Sequence, residues 1–106
     1  MAAAVVSLKT LSQPSLTSAG TAQAITAGTE TARSIIIYAS KSNTGAVYIG
    51  SSDASSKLAT GINLAPGEAY AFDGDNANGT MKMIQLSSIF FDGATTGNKL
   101  VVQYFE

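Results

Sequence analysis

Cysteine, histidine and tryptophan are all missing from this chain of 106 residues. Without cysteine there is no disulfide framework, no zinc–thiolate site and no nucleophilic thiol. Without histidine the usual general base near neutral pH and the commonest metal ligand are gone. Charge is scarce as well. Six lysines and arginines face seven aspartates and glutamates, a formal net charge of -1. That balance leaves no electrostatic footprint for nucleic acid or an anionic membrane, and little repulsion between copies. No apolar run approaches the roughly 20 residues needed to span a bilayer. The short apolar stretch Ala2–Val6 has no basic region before it and is too short for a secretory core. The expectation is a protein that works without a cleaved leader.

What is present is a set of turn signals. Asn43-Thr44-Gly45, Ala65-Pro66-Gly67-Glu68, Gly74-Asp75-Asn76, Asn78-Gly79 and Thr96-Gly97-Asn98 cut the last seventy-odd residues into short runs. Those runs are rich in β-branched and aromatic residues, which suit a pleated, half-buried surface. Strands are predicted over Arg33–Ser40, Ala46–Gly50, Gly61–Ala65, Ala69–Phe72, Met81–Leu86, Ile89–Asp92 and Lys99–Phe105. Four bulky residues in succession, Ile35-Ile36-Ile37-Tyr38, predict a central strand covered on both faces. Pro66 and Gly67 fit the two central positions of a type II turn, from which Ala69–Phe72 is expected to pair back as a hairpin arm. In the last strand Leu100, Val102 and Tyr104 share the face that better suits a core, opposite Val101, Gln103 and Phe105.

The fold class read from this pattern is all-β: one small antiparallel β-sandwich or jelly-roll-like barrel with an extended N-terminal arm. The expected division is residues 1–31, the arm and first short strands, and residues 32–106, the β core. Residues 1–32 are rich in Ala, Ser and Thr and carry only Lys9 and Glu30 as charges. Helix over Ala2–Leu11, a disordered tail and an extended arm all fit that composition. The arm is the preferred reading, with short strands near Leu16–Thr17 and Gln23–Thr26. Val5, Val6, Leu8 and Leu11 are its candidate interface residues, placed to dock on a neighbouring subunit.

Chemistry-bearing motifs are weak. Asp73-Gly74-Asp75-Asn76-Ala77-Asn78-Gly79 has the look of a calcium loop, but counting from Asp73 places Ala77, Asn78 and Ile84 where a ligand, a glycine and a glutamate belong. A plain turn accounts for it. Asn78-Gly79-Thr80 is a formal glycosylation sequon that also reads as an Asn-Gly turn. Ser55, Ser56 and Lys57 are the components of a Ser–Lys pair, but neighbours on one polar loop do not make such a site. Glu68, Asp73, Asp75 and Asp92 could be paired as hydrolytic carboxylates, yet they fall at turns where water is plentiful. The reading is therefore no enzyme, no cofactor and no metal.

Four elements together carry a resemblance. They are Gly45-Ala46-Val47-Tyr48-Ile49-Gly50, Gly61-Ile62-Asn63-Leu64-Ala65-Pro66-Gly67-Glu68, Leu86-Ser87-Ser88-Ile89-Phe90-Phe91 and Lys99-Leu100-Val101-Val102. Over residues 35–106 the arrangement resembles the small β-sandwich virion proteins of tailed bacteriophages. The resemblance implies a structural protein of the virion, assembled in the bacterial cytoplasm. A capsid decoration (cement) protein, a homotrimer bridging subunits of the major capsid protein, is the first expectation. A tail, baseplate or fibre domain that contacts a host-surface glycan is the alternative. Neither implies a nucleic-acid or membrane partner.

Overall fold

A computed structural model describes residues 7–11, 13–51, 62–77 and 80–106. Twelve strands occur among them: β1 (Leu8–Thr10), β2 (Gln23–Ala24), β3 (Thr31–Ala32), β4 (Ser34–Ala39), β5 (Val47–Gly50), β6 (Ile62–Leu64), β7 (Ala69–Asp73), β8 (Asp75–Ala77), β9 (Thr80–Lys82), β10 (Ile84–Gln85), β11 (Phe90–Gly93) and β12 (Leu100–Phe105). A 3-10 turn, Leu86–Ser88, precedes β11. The expected run Met81–Leu86 is thus divided. Its first part pairs with β8, its second with β3, and Met83 between them is exposed.

The all-β class stands, but no closed barrel or sandwich forms. Three separate open sheets make up the body: β1-β12-β4-β7, β2-β11-β5-β6 and the two-stranded β10-β3. The β8–β9 pair is a further hairpin apart from them. A barrel needs its terminal strands to pair. Here β1 and β7 end one sheet, and β2 and β6 end another, without meeting. The strands are also short, two to six residues.

The turns assign successive strands to different sheets. Beyond Ala39 the chain leaves the β4 sheet and enters β5 in the other sheet. The Pro66-Gly67 turn carries it from β6 back to β7, and residues 94–99 carry it from β11 to β12. Each of these connections crosses between sheets instead of folding a strand onto its predecessor. The expected hairpin of Gly61–Ala65 with Ala69–Phe72 is therefore corrected. The Pro66-Gly67 turn itself has the predicted chemistry: Gly67 takes φ +90 and the Glu68 N–H donates to the Ala65 carbonyl at 2.9 Å.

Alternation along the strands feeds a single core. Ile35, Ile37 and Ala39 of β4 and Leu100, Val102 and Tyr104 of β12 point inward, the latter three as predicted. Val47, Ile49, Leu64 and Phe91 meet them from the other large sheet. Leu16, Ile25, Ala32, Leu86 and Ile89 complete the cluster, so residues before 32 contribute to it directly. Fully burying such a side chain is worth about 1.5–3 kcal/mol. The β4 strand is central in its sheet, but the expectation that both its faces are covered does not hold. Ile36 is 47% exposed, because no described element packs over that side.

Candidate interaction surface

Register determines which side chains share the open face of the first sheet. Directly opposed residues lie on the same side. One row across β1, β12, β4 and β7 is Leu8, Phe105, Ser34 and Asp73; the next is Thr10, Gln103, Ile36 and Ala71; a third is Val101, Tyr38 and Ala69. Asp73 is the one charge in these three rows. Ile36 and Leu8 are 47% and 54% exposed, while Tyr38, Val101 and Phe105 are half-buried. Contiguous exposed apolar patches mark interaction sites, and this face joins exposed Leu8 and Ile36 through half-buried Phe105, Tyr38 and Val101. Lys9, on the other side of β1, pairs with Glu106 at 3.5 Å, an exposed contact worth at most about 1 kcal/mol.

Of the predicted interface residues, Leu8 and Leu11 are described, and they lie in different surroundings. Leu8 joins the open face just described. Leu11 falls opposite Val102 in register, donates its N–H to the Val102 carbonyl at 3.0 Å and packs against the core. Val5 and Val6 lie outside the described residues. So do Ser55, Ser56, Lys57, Asn78 and Gly79. Asp73 is exposed, and Glu68 Oε1 accepts from the Ala65 N–H at 2.7 Å, reaching back across its own turn. Among the described residues, no three carboxylates gather in one place and no cavity opens. No helix there is long and apolar enough to cross a membrane.

Asp92 departs from the expectation of a carboxylate at a wet turn. It is 2% exposed, on the opposite side of β11 from Phe91, and is covered by the Ser18–Thr21 turn. Its Oδ1 accepts from the Gly20 N–H at 2.9 Å and from the Gly93 N–H at 2.7 Å. A buried carboxylate survives only with such donors. Here it fastens the N-terminal third to the second sheet, a structural task.

Two asparagines at the crossing end were legible only as turn formers. The Asn98 amide, 3% exposed, accepts from the Thr44 N–H at 3.0 Å and donates to the Thr44 carbonyl at 2.9 Å. Asn43 does the reciprocal, accepting from the Lys99 N–H at 2.7 Å and donating to the Lys99 carbonyl at 2.9 Å. Each side-chain amide replaces a strand partner, so two sheet-crossing connections are clasped together. Gly93 lies close by, where a Cβ would come 3.2 Å from the Ala46 carbonyl. The crossing end is tied by these four hydrogen bonds. The open face of the first sheet is the stronger site.

Compared with protein-family models, with curated proteins and with solved structures, the chain matches none.

Proposed function

We propose that this chain is a structural protein of a tailed-phage virion, acting as a decoration protein on the outside of the head. The observation that carries the reading is the open face of the β1-β12-β4-β7 sheet. It presents Leu8, Ile36, Tyr38, Val101 and Phe105 around a single carboxylate, Asp73. A face of that kind suits a protein whose work is contact. The resemblance of residues 35–106 to phage virion proteins supplies the identity of the partner, the major capsid protein. The missing histidine and cysteine agree with a role without catalysis.

The test uses heads of the encoding phage that lack the protein. Purified chain added back should co-sediment with them at saturating stoichiometry and raise their melting temperature. Ile36→Lys places a charge at the centre of the open face without touching the core, and should abolish co-sedimentation while leaving the fold intact. Undiminished head binding by Ile36→Lys would refute the assignment of that face. Binding to tails and not to heads would move the protein to the alternative location.

A further inference from the structure

The strand β7 ends its sheet, and among the described residues no strand pairs with its outer side. The Gly74 N–H donates to the Arg33 carbonyl at 2.6 Å, and the Ala39 N–H to the Glu68 carbonyl at 2.8 Å. Antiparallel pairs alternate between hydrogen-bonded and open. With the register Ser34–Asp73 to Tyr38–Ala69, Phe72 and Tyr70 therefore spend their main-chain groups on β4. Ala69, Ala71 and Asp73 turn theirs to the free edge.

Edge strands normally carry a lysine, a proline or a bulge that discourages further pairing. The strand β7 has no lysine, proline or bulge, its register with β4 is unbroken, and its one charge, Asp73, is its last residue. Before Asp73 the side chains on its open face are two alanines, which leave the main chain accessible. Tyr70 and Phe72, on the other face, meet in a tilted ring contact with centroids 4.9 Å apart and planes at 54°, and Tyr70 remains 43% exposed.

We infer that β7 is a homodimer edge, whose partner is the β7 strand of a second copy paired antiparallel about a two-fold axis at Ala71. The register is self-complementary. Ala71 meets its own copy in a hydrogen-bonded pair, exchanging N–H and carbonyl across the axis. Ala69 meets Asp73 of the other copy in the same way. Tyr70 then faces Phe72 of the second chain in the closer, open type of pair, about 4.5 Å between Cα atoms, so four rings form one cluster over the seam. Aromatic pairs of this kind add stabilisation beyond their area. On the other face the row Ile36–Ala71 continues into the same row of the second copy. The two Asp73 carboxylates end up four residues apart along the strand direction, roughly 14 Å, beyond the screening length of about 8 Å at physiological salt. Two-fold closure is also the commonest way for identical subunits to associate. The edge gives a dimer where the sequence resemblance implies a trimer, and it holds whether or not the head-binding proposal does.

Sedimentation of the full chain at tens of micromolar tests this. The expected mass is twice 10.8 kDa. Ala71→Pro removes an N–H that faces outward and so costs no bond to β4, and Ala71→Lys places a solvated charge on the seam. Both should sediment at 10.8 kDa with unchanged circular dichroism. A second measurement guards against misfolded variants. Since the chain has no cysteine, Ala71→Cys introduces a sole thiol, which a short bismaleimide should join to its symmetry mate far faster than a thiol at exposed Gln13→Cys. A monomer, a trimer, a dimer that both edge variants leave intact, or equal cross-linking of the two thiols would overturn the inference.

Discussion

Replacing Asn98 by alanine removes both arms of the amide clasp on Thr44 without leaving a large cavity. The two hydrogen bonds, at 3.0 and 2.9 Å, are each worth about 0.5–1.5 kcal/mol net. Thr44 is exposed, so its freed N–H and carbonyl regain water, and the loss stays near the middle of that range. The expected destabilisation is about 2 kcal/mol, a fall in Tm of roughly 10 °C for a domain of this size. Asn98→Asp is expected to be worse. It keeps an acceptor for the Thr44 N–H but turns a carboxylate oxygen toward the Thr44 carbonyl at a position only 3% exposed. Asn43→Ala should cost about 1 kcal/mol, since Asn43 is half-buried and solvent replaces its contacts. Because both amides hold the same two connections, the double variant should be less destabilised than the sum, with coupling of at least about 0.5 kcal/mol. Urea unfolding with fitted midpoints and slopes measures all four. An Asn98→Ala midpoint equal to that of the parent, or strict additivity with Asn43→Ala, would refute the clasp as the tie between the sheets.

Two further outcomes follow from the core. Phe91→Ala empties a fully buried site and should cost about 3–5 kcal/mol, whereas Phe90→Ala, half-buried on the other side of β11, should cost far less; equal urea midpoints would contradict the register of that strand. Asp92→Leu strands the buried Gly93 N–H at about 1–3 kcal/mol and frees the N–H of exposed Gly20 to water, while Asp92→Asn retains an acceptor and should remain close to the parent in thermal melts.

Much of the strand pattern was legible in the residues, and the assignment of strands to sheets was not. Alternation alone identifies Leu100, Val102 and Tyr104 as the core face of β12, and Pro66-Gly67 identifies its turn. A turn signal specifies that the chain reverses, not whether the next strand pairs with the last or crosses to another sheet. That choice depends on contacts such as Asn98 to Thr44, 54 residues apart, which leave no local signature. Ile36 shows the same limit. A run of isoleucines reads as buried on both sides, and only the absence of a described covering layer exposes it. Asp92 was misread for the opposite reason, since its cover, the Ser18–Thr21 turn, comes from a distant and weakly patterned segment. The open face around Ile36 and the free edge of β7 both follow from register, which no single strand encodes.

Quantitative mass spectrometry of purified particles of the phage proposed to carry this chain is the most direct test of the proposed virion role. Peptides of this chain should be found in intact heads at a copy number of the same order as that of the major capsid protein, and be lost when the heads are stripped. Purified particles that carry none of it would refute the proposed role.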